Sequence, residues 1–378
     1  MLTTFDDDRA RRFRQEAREW IGAAIPDEWR AYTGPVGSDE ALKIRHGWDR
    51  LVYDGGYAGL SWPEEFGGRG LGVIEEAIFL EECALAGAPE GLSRIGRGLA
   101  GSVLMTFGSK EQQARFLDPI LSAEEIWCEG LSEPDAGSDL AAIQTTATPV
   151  DGGYRIDGHK VWTSYAHYAQ FCMVLAKTND GRRHHNLGVF VADMSDPGLT
   201  RSPIRQMNED KDFNELTFDG VMVPAERAVG DLTQGWRMVQ HGLRVGAQGS
   251  ANSLLRYLEI RRQLEAARVC LAERERTDLT ALEWLEDEAE LLRFHILRVT
   301  EARAQGLDVG GEAGIIKLVA SELNQRVMRL GMDIGCPAHE EKWRRLYLHS
   351  HCESIAGGSS EMLRNIIATR TLGLPRSW

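Results

Sequence analysis

The apolar residues of this 378-residue chain change their spacing twice, and that change limits the fold more than any other feature. Up to about residue 120, and again after about residue 232, they recur with the period of a helix face. Between these zones, short apolar runs separated by glycine-rich turns indicate β-strands. The order predicts an α+β multi-domain protein: an N-terminal all-α domain (1–122), a middle antiparallel β domain (123–231) and a C-terminal four-helix bundle (232–378).

Apolar spacing and punctuating residues also predict the individual elements. In the N-terminal zone, helices are predicted over 13–24, around 42–52, over 73–86 and over 110–121. The strands predicted for the middle zone cover 143–148, 154–156, 171–176, 187–191 and 216–218, with turns at 151–153 and 157–158. The helices predicted for the last zone cover 234–274, 280–305, 313–335, 343–354 and 361–371.

The charge balance excludes one broad class of function. Lysine and arginine number 43 against 57 aspartates and glutamates, a net charge of −14. A protein that grips a nucleic-acid backbone needs a dominant basic field, so no nucleic-acid partner is expected. The six cysteines are scattered without metal-type spacing, and no metal site is predicted. No secretory signal or membrane-length apolar run is visible, so we expect a soluble, cytoplasmic protein.

Two segments at the start and middle of the β zone carry the residues best suited to hold a ligand. The first, residues 131–139, reads Leu-Ser-Glu-Pro-Asp-Ala-Gly-Ser-Asp, and the second, residues 158–164, reads Gly-His-Lys-Val-Trp-Thr-Ser. In the second, Trp162 can stack on a flat ring while a hydroxyl two residues later donates a hydrogen bond to it. Taken alone, the first segment is equally compatible with an ordinary turn, and the second with a tryptophan that packs at the end of a strand.

Together, and at this separation, the two segments resemble the acyl-CoA dehydrogenase family of flavoproteins. Further matches follow in order: 213–224, Gly235-Trp236 and the closing motif over 355–368, which contains Ala-Gly-Gly-Ser-Ser-Glu. The run Leu-Gly-Leu-Pro-Arg over 372–376 also resembles the family's end. The resemblance therefore spans nearly the whole chain and implies an FAD-dependent oxidoreductase that desaturates an acyl thioester at Cα–Cβ.

The resemblance implies a role for each matching residue. Ser132 would touch the isoalloxazine, Trp162 would stack on it, and Ser164 would bond near N5. Ser138 would lie beside the pantetheine arm of the substrate. Glycine has no Cβ and so lets a ligand approach the backbone closely, which fits the expected roles of Gly357 and Gly358. The implied cofactor-binding residues are Leu131, Ser132, Gly137, Ser138, Trp162, Thr163, Ser164, Arg274, Ser359 and Glu361, and the implied substrate-binding residues are Ser138, Gly357 and Gly358.

The catalytic base is where the chain departs from the family. The reaction needs a carboxylate to remove the α-proton, and the two positions at which family members carry it hold Gly357 and Gly246 here. Glycine has no proton-accepting side chain. Glu353, one helical turn before Gly357, is the predicted replacement, with a solvated acid at a helix end as the alternative. Arg274 is likewise the predicted substitute for the family's arginine at the FAD pyrophosphate, with a charged helix end as the alternative.

The missing base leaves three interpretations open. The base is relocated; or the chain is a non-catalytic or half-site subunit of a hetero-oligomer with a homologue; or the same fold carries out oxygenation or oxidative decarboxylation. The expected partners are an acyl-CoA or acyl-carrier-protein thioester, an electron-transfer acceptor, and further subunits. The family pattern implies a homodimer or homotetramer, or a hetero-oligomer.

Overall fold

The computed structural model describes residues 5, 7–32, 34, 37–179, 181–245, 250–274, 279–307, 309, 311–337 and 339–375. The helices are α1 (Asp8–Ala24), α2 (Asp27–Ala31), α3 (Asp39–Asp54), α4 (Val73–Ala86), α5 (Gly101–Phe107), α6 (Lys110–Leu121), α7 (Gly235–Val245), α8 (Ser250–Glu273), α9 (Thr280–Ala304), α10 (Glu312–Ile334), α11 (Glu340–Glu353) and α12 (Ser360–Ile366). The strands are β1 (Trp127–Gly130), β2 (Thr146–Val150), β3 (Gly153–Ser164), β4 (Phe171–Lys177), β5 (Leu187–Asp193), β6 (Leu199–Pro203), β7 (Phe213–Pro224) and β8 (Ala228–Val229).

The chain forms two compact units that cut across its order. The helical unit comprises Met1–Ala23, Leu71–Ala88 and Gln248–Trp378, and the sheet unit comprises Ala24–Gly70 and Pro89–Ala247. The fold class is confirmed as helical, β and helical along the chain. The domain boundaries after residues 122 and 231 stay predictions.

The sheet unit is built on one eight-stranded sheet with the path β6-β7-β3-β2-β4-β5-β8, and β1 pairs with β4. Neighbours along this path are antiparallel except β2 and β4, and β1 also runs parallel to β4. Strands β4 and β5 are almost wholly buried, as expected for a strand covered on both faces. The sheet therefore forms the core of this unit, with β3 and β7 as its longest ladder.

One predicted turn is wrong. Residues 151–153 do join β2 to β3, with Gly152 at φ 77°, but Asp157-Gly158 lies inside β3. The β3–β7 register shifts between Ile156 and Gly158, which marks a β-bulge, because one strand carries an extra residue there. The Asp157 carboxylate accepts a hydrogen bond from the Gly220 N–H on β7. The extra residue belongs to β7, where Asp219 and Gly220 lie opposite Asp157, so the Asp157-Gly158 pair continues β3 without reversing it.

The helical unit combines the last helices of the chain with two early ones. Helix α8 packs against α4, α9 and α10, and α10 packs against α9 and α11. The shared core is apolar, with Trp343 1% exposed and Leu323 fully buried. The helix predicted over 234–274 is described as α7 and α8, and 246–249 lie outside the described residues. Within the described part of the chain, no helix has the length and apolarity to span a membrane, and the cytoplasmic location stays a prediction.

Candidate functional site

A bulge in β3 places Trp162 outside the regular ladder of the sheet. Lys160 pairs with Leu216 and Thr163 with Asn214, so two residues of β3 oppose one residue of β7. Trp162 lies in the left-handed region at φ 62° and is 58% exposed. Such backbone strain costs about 1–3 kcal/mol and is found at functional sites. An exposed indole in strained backbone is the geometry expected of a side chain that meets a ligand.

Hydrogen bonds connect the loop that begins with Leu131 to the bulge at Trp162. The Val161 N–H donates to the Ser132 carbonyl at 2.9 Å. The Lys160 ammonium donates to the Leu131 carbonyl at 3.0 Å and to the Glu133 carboxylate at 2.9 Å. These bonds hold Ser132 and Trp162 on neighbouring backbone segments, so the structure brings together the two residues that the sequence predicted at the isoalloxazine.

The ion pair beneath the loop is buried. The Lys160 side chain is fully buried and that of Glu133 is 7% exposed. Burial lowers the pKa of Lys160 to about 8, although the Glu133 charge opposes this shift. Burial alone would raise the pKa of Glu133, but the Lys160 charge and hydrogen bonds from Thr145 and Gln144 hold that pKa below its ordinary value. Both residues lie in the segments 131–139 and 158–164, but no role was predicted for them from the sequence.

The residue after Trp162 carries a buried hydroxyl that has no partner among the described residues. Thr163 is fully buried, and within the described residues its Oγ1 makes no hydrogen bond. The amide of Asn214 donates to the Thr163 carbonyl at 3.2 Å and lies 2.9 Å from the His167 ring nitrogen. Buried polar groups are normally satisfied. Because the Thr163 hydroxyl is fully buried, it does not line open space, and the exposed Trp162 ring with the half-buried Ser164 are the groups that fit a flat, polar-edged group such as the flavin ring.

The far end of the loop is open. Gly137 and Ser138 are both exposed, and a Cβ added at Gly137 would meet no atom within 4 Å. Asp139, also exposed, forms an ion pair with Arg183 from the loop between β4 and β5. Ser138 therefore has room for a substrate arm, and its predicted contact with that arm stays a prediction.

In the helical unit, the closing motif forms a tight turn before α12. Gly357 and Gly358 adopt φ values of 67° and 103°, which side chains rarely adopt. The Lys317 ammonium, 2.7 Å from the Gly358 carbonyl, donates a hydrogen bond to it. Ser359 caps α12, its hydroxyl accepting from the Met362 N–H at 3.3 Å, as favoured at a helix start. Sequence reasoning missed Lys317, whose pKa burial lowers to about 8.

Glu361 follows in the first turn of α12. Hydrogen bonds from its own backbone N–H and from Ser359 lower the pKa of its carboxyl. A carboxylate at this end of a helix is also favoured by the helix dipole. The observed contacts of Ser359 and Glu361 thus serve the helix start, and their predicted contacts with the cofactor stay predictions.

The predicted base, Glu353, lies at the end of α11 with its side chain 19% exposed. Both of its carboxylate oxygens accept from the Asn324 amide at 3.1 Å, and the Arg256 guanidinium lies 3.6 Å away. At Gly357, an added Cβ would meet no atom within 4 Å, so the usual base position is open space. Gly246, the other usual position, lies outside the described residues.

Arg274 makes contacts that differ from the phosphate contact expected of it. Its guanidinium donates to the Ile334 carbonyl at 2.8 Å and to the Gly335 carbonyl at 2.5 Å. Basic side chains commonly satisfy the last carbonyls of a helix in this way. Close by, Cys270, Glu273 and Cys336 have ligand-type atoms within 4.8 Å of one another. The absence of a metal site and the phosphate role of Arg274 both stay predictions.

Family models match almost the whole chain. The N-terminal, middle and C-terminal domains of acyl-CoA dehydrogenase match residues 7–124, 128–221 and 233–372 respectively. The chain is 36% identical to acyl-CoA dehydrogenase IpdE1 of Mycobacterium tuberculosis over 377 residues, covering 96% of this chain and 97% of that protein. It is 34% identical to acyl-CoA dehydrogenase FadE34 of the same organism over 332 residues, which cover 85% of this chain and 45% of that protein.

Solved structures share the fold over nearly its full length. A variant of the Tcur3481-Tcur3483 steroid ACAD superposes with a TM-score of 0.83 at 25% identity, covering 97% of this chain and 98% of that one. The ChsE4-ChsE5 complex of Mycobacterium tuberculosis gives a TM-score of 0.83 at 25% identity, covering 98% and 99%. The chain therefore belongs to the acyl-CoA dehydrogenase family of flavoproteins, which agrees with the predicted FAD cofactor.

Proposed function

We propose that the chain holds the isoalloxazine of FAD at the Trp162 bulge of β3 and takes part in the α,β-desaturation of an acyl thioester. The observation that carries the proposal is the exposed Trp162 ring, held in left-handed backbone beside the loop of Ser132. These features lie on a fold whose relatives are dehydrogenases of acyl-CoA.

The side chains at the bulge have distinct tasks in this proposal. FAD, when bound, supplies the acceptor for the hydride that leaves the β-carbon. Trp162 covers one face of the flat ring and excludes water from it, while the Ser132 and Ser164 hydroxyls donate to its polar edge. Ser138 holds the pantetheine arm. The Gly357-Gly358 backbone, which Lys317 fastens, permits close approach of the thioester.

Glu353 is proposed to accept the α-proton. In the free chain, both of its carboxylate oxygens bond to Asn324, and Arg256 lies beside it. Proton abstraction therefore requires that the carboxylate exchange one of these contacts for the substrate. General-base assistance contributes roughly 10²–10⁴ in rate, so Glu353→Gln is expected to lower kcat by that factor while the visible spectrum of bound flavin is retained.

A half-site subunit is the second candidate, and the open space at Gly357 favours it. A homologous chain would then supply the carboxylate that this chain lacks. The two-component names ChsE4-ChsE5 and Tcur3481-Tcur3483 support such a pairing. Helix α9 offers a surface for it: Trp284, Leu291 and Phe294 are 71%, 69% and 56% exposed and lie on one helix face. A stripe of this kind on a bundle marks an interaction site.

The visible spectrum of the purified chain tests the cofactor proposal. Flavin absorption bands, present on isolation or after FAD is added, are expected, and their absence in both states would overturn it. The reaction is tested by oxidation of acyl-CoA thioesters, with polycyclic acyl groups included because one relative is named a steroid ACAD. Turnover by the lone chain contradicts the half-site candidate. If turnover occurs only after co-expression with a homologue, the proposal that Glu353 alone accepts the α-proton is contradicted.

A further inference from the structure

The buried pair of Lys160 and Glu133 is placed to control the geometry of the site without touching a ligand. The Lys160 ammonium bonds to Leu131 and to Glu133, which are the two residues on either side of Ser132. The ammonium therefore bonds to both neighbours of Ser132, the residue whose hydroxyl is proposed to contact the flavin. Lys160 itself lies two residues before Trp162 on β3.

The Glu133 carboxylate extends this link to the far side of the loop. It accepts hydrogen bonds from the Gln144 N–H at 2.6 Å and from the Thr145 N–H at 2.9 Å, immediately before β2. The backbone of Glu133 and Ala136 exchanges two hydrogen bonds of 3.1 Å, which closes the turn that leads to Gly137 and Ser138. One carboxylate thus joins the loop to β2 and, through Lys160, to β3.

Stability alone gives little reason for charges at this depth. The Lys160 side chain is fully buried, and an apolar pair of similar volume often stabilises a protein as well as a buried ion pair does. What an apolar pair lacks is direction, because only the ammonium can donate to a carbonyl and a carboxylate at once. The pair is thus suited to setting a distance between two backbone segments.

We propose that Lys160 and Glu133 are positioning residues whose ion pair sets the spacing between the Ser132 loop and the Trp162 ring, and through that spacing the affinity for FAD. The inference rests on the proposed function, because it concerns the same flavin slot. A displacement of about 1 Å at a preorganised site can cost up to 100-fold in function. Loss of the pair is accordingly expected to weaken FAD binding even where the fold is retained.

The double variant Lys160→Met/Glu133→Gln separates positioning from stability. It removes both charges together, so neither is left buried alone. The Leu131 carbonyl and one of the Gln144 and Thr145 N–H groups still lose a partner, so a lower melting temperature is expected, and FAD binding is measured well below it, where the variant is folded. The FAD dissociation constant is expected to rise about 10-fold or more, with an altered flavin absorption band. Parent-like FAD affinity and spectrum in the folded double variant would overturn the inference, because the pair would then be only structural.

Glu133→Asp is the second variant and decides the matter if the double variant does not fold. It keeps both charges but shortens the carboxylate arm by one methylene, so the loop must move or the bond to Lys160 must lengthen. Weaker FAD binding is expected, and parent-like binding would overturn the inference. The matched control is Asp49→Asn, which disturbs the buried Asp49–Arg97 pair of the same unit. It is expected to lower stability and leave the FAD dissociation constant unchanged.

The same titrations distinguish this inference from the proposed function. If the parent chain takes up no FAD, both are overturned. If the parent chain binds FAD and both Glu133→Asp and the double variant bind it equally well, only the positioning role is overturned.

Discussion

Replacing Trp162 by alanine should weaken FAD binding far more than it weakens the fold. The indole is 58% exposed, and it forms an edge-to-face pair with Phe213, with ring centroids 6.0 Å apart. The truncation therefore removes little buried apolar surface. At the same time, alanine keeps the left-handed backbone of this position, so the strain stays in place and the bulge is left intact.

The two effects differ in magnitude. Loss of one exposed edge-to-face contact costs about 0.5–1.5 kcal/mol of folding stability. Loss of a stacking platform for a flat ring costs about 1–3 kcal/mol of binding, by analogy with bases stacked on aromatic side chains. The FAD dissociation constant should thus rise by roughly 5- to 150-fold, because each 1.4 kcal/mol is about tenfold. By contrast, Trp127 is fully buried, and its replacement by alanine should cost about 3–5 kcal/mol of stability.

The assay is titration of the apoprotein with FAD, followed by flavin fluorescence, together with thermal unfolding of the same samples. Met207→Ala is the control, since this side chain is 66% exposed in the same unit and has no assigned role. It should leave both readouts unchanged. FAD affinity equal to the parent value in Trp162→Ala would refute the stacking argument, and unfolding of the variant would refute the claim that this ring is dispensable for the core.

Three further outcomes are expected. Glu82→Gln should cost about 2 kcal/mol of unfolding free energy at pH 7. Burial raises the pKa of Glu82, but hydrogen bonds, led by that from Arg18, outweigh burial and hold it below 4.5. The Glu82 carboxylate should therefore stabilise the fold above pH 4.5, and this stabilisation should be lost as the pH falls through the lower pKa of the folded state. The unfolding free energy from urea titrations should accordingly decrease less steeply in acid for the variant than for the parent chain. An unchanged pH dependence would contradict this. Gly153→Ala should destabilise the sheet unit by about 1–3 kcal/mol, because the added Cβ would lie 2.2 Å from the Val223 carbonyl oxygen; an unchanged melting temperature would be inconsistent with that contact. Leu291→Glu should reduce the molar mass that light scattering measures for the chain co-expressed with a homologue, and an unaltered mass would exclude this helix face from the subunit interface.

Helix positions were predictable where glycine or serine flanked the apolar stripe of the helix. The predictions over 73–86 and 110–121 coincide with α4 and α6, because a glycine or serine precedes each start and Gly87 follows the first. The strand β1 was not predicted, because Trp-Cys-Glu-Gly shows no alternation and its four residues are shielded by the sheet and nearby helices. Strand β6 was missed because it is short and mostly exposed.

The candidate site was predictable in its residue types and only partly in its geometry. The motif placed Ser132 and Trp162 near one ligand, and the structure does hold their backbone segments together. No residue pattern indicates that Trp162 occupies a bulge, because a left-handed residue within a strand depends on the register of the neighbouring strand. The pairing of Lys160 with Glu133 spans 27 residues and becomes visible only in three dimensions.

The contacts of Glu353 and Arg274 show the limit of assigning a role to a residue from its position in the sequence. Both residues stand where an ionised side chain was needed, yet one is bonded to Asn324 and the other to the carbonyls that end α10. Such local partners depend on the packing of α8, α10 and α11, which periodicity does not encode.

The most direct test of the account is a crystal structure of the chain with FAD and an acyl thioester. The isoalloxazine should lie against the Trp162 indole, with the Ser132 and Ser164 hydroxyls at its polar edge and the Lys160–Glu133 pair intact beneath it. A flavin bound in another part of the molecule, or a space beside Trp162 filled by the protein's own side chains, would contradict the proposed flavin site.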